Sequence, residues 1–460
     1  MNFNGRLFSL SGALSAVLGS VLAISPLSAA ESSQPVTFSK DIAPIFQEKC
    51  DECHRPNTVA PFSLLSYQTA RPWVKAIKDR VVARNMPPWQ IDRNVGIRHF
   101  KNDMSLSDEQ ISLITKWVDS GAAEGNPKDM PPNPTYDDSN DWKATAAMGR
   151  PPDLVISSSP YTMNAHSQDQ WWRPLAETGV KEPTWVKAVE IRPGSVAGRR
   201  ITHHALAHLV QENDPEARKF SDQVGDGRGP NEAGTLMEWA IGKTYDIYAD
   251  GTGKLLLPNS RIWWDIHYHA AGETVRDHVE IGIWFYPKDQ PPSHRVFLTG
   301  FQSTSRQGAR LDIAPNSIAV QDGYTVLKAA AKLQNFQPHM HLRGKAMSME
   351  AILPTGEVRM ISNVDNFDFN WMTNYIYTDD EQPVLPKGTV IHITTWFDNT
   401  AAKKGNPDPS QWVGWGDRTV DEMAHAWVNV VYISDEEYNK WAAEHQPVNN
   451  RRIASGNGGN

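Results

Sequence analysis

Cysteine is nearly absent from this chain of 460 residues: there are two, and both lie in one five-residue stretch. No third thiol is left for another cysteine-ligated centre. No long basic run occurs, and 45 Lys+Arg against 53 Asp+Glu leave a net charge of −8. That balance argues against a nucleic-acid partner. After residue 30, no uninterrupted apolar run reaches the roughly 18 residues that a bilayer span needs. With 40% hydrophobic and 21% charged residues, the make-up is globular rather than disordered, collagen-like or coiled-coil. At roughly 100–200 residues per domain, the length points to three domains.

Residues 1–30 read as a signal peptide. Arg6 supplies the positive start, residues 7–24 are apolar though diluted by serine and glycine, and Ser28-Ala29-Ala30 offers a cleavage site. A membrane anchor is the competing reading. Cleavage would leave a periplasmic or secreted protein with no membrane span. Residues 35–125 read as helical. Residues 39–49 set Ile42, Ile45 and Phe46 on one face, with Asp41 early and Lys49 late. Residues 69–84 space Trp73, Val74, Ile77 and Val81 by threes and fours. Residues 106–120 open with Ser107 and Gln110 in capping-box relation and stop at Gly121. Residues 126–148, rich in Pro, Asn and Asp, read as a linker. Beyond them, short alternating runs (261–269, 280–286, 389–397, 427–433) predict β-sandwich strands. A break at 288–293 divides this region into 149–290 and 291–440, before a flexible tail, 441–460.

Cys50-Asp51-Glu52-Cys53-His54 is C-x-x-C-H. In that motif two thiols form thioethers to haem vinyl groups and the histidine is an axial ligand. A disulfide or an incidental CxxC is the plain alternative. For the sixth ligand, Met86 is followed by Pro87-Pro88-Trp89, a stiff non-helical segment that would hold a thioether in place. Met104 is its rival and His99 a weaker one. Residues 35–125 resemble the single-haem cytochrome c domains that carry C-x-x-C-H followed by M-P-P-W.

Seven of the fifteen histidines fall in three short segments: His203-His204 with His208, His267-Tyr268-His269, and His339-Met340-His341. Residues i and i+2 of a strand point to the same face, so each H-x-H is half of a metal site. Parity puts Ile262, Trp264, Ile266 and Tyr268 on one face and Asp265, His267 and His269 on the other. Adjacent His203 and His204 should face oppositely in a flat strand, so joint ligation requires a twist or a strand end. Nitrogen-rich sets suit copper, zinc, iron or nickel. Blue-copper centres and multicopper oxidases need a cysteine, and both cysteines are committed to haem. Non-haem iron would need a second histidine beside His278-Val279-Glu280. Histidines without any metal are the bland alternative.

His203-His204, His267-Tyr268-His269, Pro338-His339-Met340-His341 and Asp421-Glu422-Met423 occur in the order found in the copper type II, ascorbate-dependent monooxygenases. This is the family of peptidylglycine α-hydroxylating and dopamine β-monooxygenases, and the resemblance spans about residues 149–437. It implies two jelly-roll-like sandwiches, each with one copper. His203, His204 and His267 match the ligands of the electron-accepting copper. His339, His341 and Met423 match those of the oxygen-binding copper, with His425 as an alternative to Met423. A thioether stabilises Cu(I), the state that meets O₂. His208, His269 and His278 fall outside both sets.

The departures matter too. The animal members are disulfide-stapled, whereas these sandwiches must rely on their cores, for which the many tryptophans (Trp263, Trp264, Trp371, Trp396, Trp412, Trp415, Trp427) are suited. An Arg and a Tyr that hold a substrate carboxylate in the peptide-amidating members are Gln337 and Trp427 here, which favours an uncharged or aromatic small molecule. The expected protein is therefore multidomain: a small all-α cytochrome c-like domain followed by two all-β jelly-roll-like sandwich domains. It would hold two copper ions and one covalently attached haem c. It would hydroxylate a small-molecule substrate with O₂, with electrons from a periplasmic donor or an ascorbate-like reductant.

Overall fold

Beyond residue 150 the chain repeatedly alternates apolar and polar side chains, a period that only extended backbone can sort onto two faces. A computed structural model describes residues 35–445 except 57, 59, 135, 137–140, 212–213, 217–231, 241–242, 244 and 305–310. The expected signal peptide and most of the tail (446–460) lie outside the described residues. The strands read from the sequence are present as Arg261–Tyr268, Val279–Phe285, Val390–Asp398 and Ala424–Ile433. Ile262, Trp264, Ile266 and Tyr268 are all fully buried in one apolar cluster, as their parity predicts. Among the tryptophans expected in cores, Trp264 is fully buried but Trp412 is 63% exposed.

The helices lie near their expected places. Asp108–Asp119 opens on a capping box in which Ser107 and Gln110 satisfy each other's backbone N–H. With Ala43–Lys49 and Val74–Val82 it encloses a small aromatic core of Phe38, Phe46 and Trp117.

The fold class differs from the one expected. Among the described residues, strand outweighs helix by 38% to 17%, the longest helix has 12 residues, and no self-standing all-α cytochrome c-like domain is present. The reason lies in residues 89–104. After Val74–Val82 the chain does not stay with the helical core: Trp89, Ile91, Ile97 and Phe100 bury themselves in the β core. Ile91 and Phe100 form backbone bridges to Val364 and Tyr377, and the rings of Trp89 and Phe100 both pack on Tyr375. Burial of four large apolar side chains, each worth roughly 1.5–3 kcal/mol, welds the helical layer to the sheets.

Nor does the sheet break at the expected boundary. Ala424–Ile433 pairs with His294–Gln302 on one side, and with Ala330–Leu333 and Asn335–Met340 on the other. His294–Gln302 meets Glu232–Ala240, which continues through Thr202–Val210 to Arg261–Tyr268. One 16-stranded sheet therefore runs across residue 290. A four-stranded sheet (Ile318–Val326, Val390–Asp398, Gly344–Ile352, Val358–Val364) shares its C-terminal core. Where these sheets cross, Gly323 is required: a Cβ there would stand 1.9 Å from the carbonyl oxygen of Gln302.

Candidate metal centre

Neighbouring strands of the long sheet bring two histidine clusters together. His267 pairs across the ladder with His204, and the next pair is Tyr268 with Thr202. His203 is therefore the extra residue of a β-bulge, which breaks the alternation that would have sent it to the opposite face. The Nδ1 atoms of His203 and His204 lie 3.1 Å apart. The His267 ring is 5.2 Å from that of His203 and 4.9 Å from that of His204, centroid to centroid. One nitrogen from each ring falls within 4.8 Å of the others, the one such group of three His, Cys, Asp or Glu among the described residues.

The hydrogen bonds fix which nitrogens carry lone pairs. His267 Nε2 donates to the Asp169 carboxylate at 3.0 Å, while its buried Nδ1 has no hydrogen-bond partner. Because a carboxylate only accepts, the proton sits on Nε2 and the lone pair on the orphaned Nδ1. That bond in turn holds Asp169 below the usual carboxylate range. Trp171 stacks on the His267 ring at 4.5 Å. Burial pushes His203 down to about 3 and His204 well below its ordinary value. Those two rings are therefore neutral imidazole, the form that ligates.

The second set lies alongside. Strand Asn335–Met340 places His339 directly opposite His425, with their rings stacked at 4.6 Å. The His341 ring is 5.5 Å from that of His339. His341 Nδ1 donates to the Asp421 carbonyl at 3.1 Å, which leaves the lone pair on Nε2. The buried Glu422 carboxylate accepts the backbone N–H groups of His341 at 3.0 Å and Arg343 at 2.5 Å. These bonds tie Asp421-Glu422-Met423 to the H-x-H segment. Burial lifts Glu422 to about 8 and pushes His341 to about 4, His425 to about 3 and His339 well below its ordinary value. Met423 is half-buried, one step beyond the paired Met340 and Ala424. Strand alternation, continued one residue, gives it the face of His425.

The two sets abut. The His204 and His339 rings are 6.3 Å apart, and Phe369 stacks on His203 at 4.8 Å while its ring meets His341 edge-on at 6.2 Å. The sequence reading missed Met372, whose Sδ lies 3.1 Å from His339 Nδ1. Its position between strands has no spacing relation to any histidine. Gln337 and Trp427, the two departures noted above, are both buried and sit directly opposite each other.

His208 bonds to Thr235 and lies against Trp263, apart from the cluster. His278 is 3.1 Å from Glu280, which is also held by Arg192 at 3.0 Å. No second histidine joins that pair in a tight group among the described residues.

In the C-x-x-C-H stretch, His54 Nδ1 donates to the Phe62 carbonyl at 3.2 Å, leaving Nε2 its lone pair. Phe62 lies against His54 and stacks on Trp73 at 4.4 Å. Burial pushes the Cys50 thiol up to about 12 and raises Cys53 too, so both half-buried sulfurs are protonated thiols. Met104 packs against the β core, and the exposed His99 is bound to Glu381 at 2.8 Å. Met86 is half-buried at the head of the proline segment.

No family model and no curated protein matches this chain. Solved structures match only weakly. One described as PNGF-II is 11% identical, covering 61% of this chain and 65% of its own, with a TM-score of 0.27. The major capsid protein P2 of Bacteriophage PM2 is 10% identical over 59% of this chain and 97% of its own, with a TM-score of 0.25. A putative alpha-L-fucosidase from Bacteroides ovatus is 5% identical over 66% and 41%, with a TM-score of 0.18. Likeness at this level decides nothing about function.

Proposed function

We propose that this protein is a copper-dependent monooxygenase that hydroxylates a C–H bond of a small organic substrate, consuming O₂, two electrons and two protons and releasing water. The observation that carries the reading is the tight group of His203, His204 and His267, with the His339 ring 6.3 Å from that of His204 and the His341 ring 5.5 Å from that of His339. His339, His341 and Met423 would hold the copper whose chemistry is O₂ activation, and His203, His204 and His267 the one that relays an electron. The donor chemistry fits: imidazole suits copper, a thioether favours its reduced state, and the orphaned His267 Nδ1 is a buried lone pair awaiting a partner.

The chain's own residues do the rest. Asp169 accepts from His267 Nε2 and the Asp421 carbonyl from His341 Nδ1, so each ring would turn its other nitrogen to a metal. Phe369, Trp171 and Trp427 pack around the cluster and limit water. With Gln337 and Trp427 on the sheet face that carries His339 and His425, no cation is offered to a substrate carboxylate there, which favours an uncharged or aromatic substrate. Cys50 and Cys53 would attach a haem, with His54 and Met86 as its axial ligands. Electrons would then enter from a periplasmic donor or an ascorbate-like reductant.

The test is metal and haem content together with a mass-spectrometric screen for products gaining one oxygen. We expect two coppers and one haem per chain. Two zincs that copper cannot displace, or non-haem iron in place of copper, would overturn the assignment. Copper-loaded, reduced protein that consumes no substrate-coupled oxygen would instead be an electron carrier.

A further inference from the structure

We infer that Met372 is a positioning residue for the second histidine set: its thioether accepts the Nδ1–H of His339 and so commits Nε2 of that ring to the metal. The inference rests on the reading of His339 as a ligand and names a residue that the sequence motifs did not. Met372 Sδ is 3.1 Å from His339 Nδ1, and the methionine is buried at 3% exposure. A thioether carries no hydrogen, so the contact is a hydrogen bond only if Nδ1 holds the proton. His341 is held in the same sense by the Asp421 carbonyl. Both rings of the H-x-H pair thus turn the same kind of nitrogen toward an acceptor and keep Nε2 free.

The two acceptors differ in strength. A carbonyl oxygen accepts strongly and raises imidazole basicity; a thioether accepts weakly, so His339 becomes the poorer electron donor of the pair. Met372 is also held in place from outside the sheet. Thr373 Oγ1 donates to the Pro88 carbonyl at 3.3 Å, and Gln90 N–H donates to the Tyr375 hydroxyl at 3.2 Å. The Pro88–Gln90 segment therefore braces the loop that orients His339.

The experiment is a copper titration of the full chain against a competing chelator, with X-ray absorption of the Cu(I) form. The binding step that disappears in His339→Ala marks the second site. Met372→Leu keeps the volume but removes the acceptor, and should weaken that step by roughly 10–100-fold while leaving the other step unchanged. Met372→Gln places an amide oxygen near the same point and should restore most of the affinity, which a merely packing role would not produce. Unchanged affinity in Met372→Leu overturns the inference. So does loss of the copper–sulfur signal in Met372→Leu without rescue by Met372→Gln, because the sulfur would then be a direct ligand. If the natural protein shows no step that His339→Ala removes, the ligand reading itself falls and takes this inference with it.

Discussion

A methionine and an isoleucine side chain fill similar volumes, so exchanging one for the other at residue 423 separates ligation from packing. Met423→Ile should cost less than about 1.5 kcal/mol in a thermal melt yet abolish product formation. Full activity would pass the role to His425, which faces His339 across the ladder. A second residue gives a pH dependence. Burial pushes Lys254 down to about 7, and its Nζ donates to the carbonyls of Thr235 and Leu236. Between that value and the ordinary 10.5, the unfolded chain holds a proton that the folded chain lacks, so stability rises with pH across the window and falls as pH drops toward 7. The melting temperature of the natural protein, compared with that of Lys254→Met, should therefore gain from pH 7 to 9, at up to about 1.4 kcal/mol per pH unit. A flat difference would place the ammonium's proton elsewhere. At this scale much was legible. Strand parity separated His267 from the buried Trp264 face, and the demand that adjacent His203 and His204 break alternation is met by the bulge. Met372 was illegible because its contact depends on how an inter-strand loop folds back, which no local spacing encodes.

Single elements show where sequence patterns hold and where they fail. The Ser107–Gln110 capping box and the buried strands were readable because the forces that make them act within a few residues. Residues 89–104 were not. Trp89, Ile91, Ile97 and Phe100 follow no sustained period, and their burial is decided by Val364, Tyr375 and Tyr377, more than 250 residues away. Strand Ile318–Val326 has a comparable long-range constraint at Gly323, where the backbone of Gln302 and Ser303 leaves no room for a Cβ. Gly323→Ala should lower stability by roughly 1–3 kcal/mol, as overpacking does, read from denaturant midpoints with the slope unchanged. A neutral result would mean that the two sheets slide apart freely at this crossing.

Across the whole molecule, the turn at 288–293 does separate two strands, but the sheet continues through it by way of His294–Gln302 and Ala424–Ile433. Fragments 149–290 and 291–440 expressed apart should each lack defined near-ultraviolet dichroism, because each would expose an unpaired strand edge. A cooperative melt in either one would restore the picture of independent units. The same continuity sets the two imidazole groups side by side, with the His204 and His339 rings 6.3 Å apart. Cations accommodated by both groups would repel each other in a poorly screened interior. Repulsion scales with the product of the charges, so a divalent pair suffers about four times the penalty of a monovalent pair at equal spacing. Loading should therefore be anticooperative, with successive affinities far apart for the oxidised metal and drawn together on reduction.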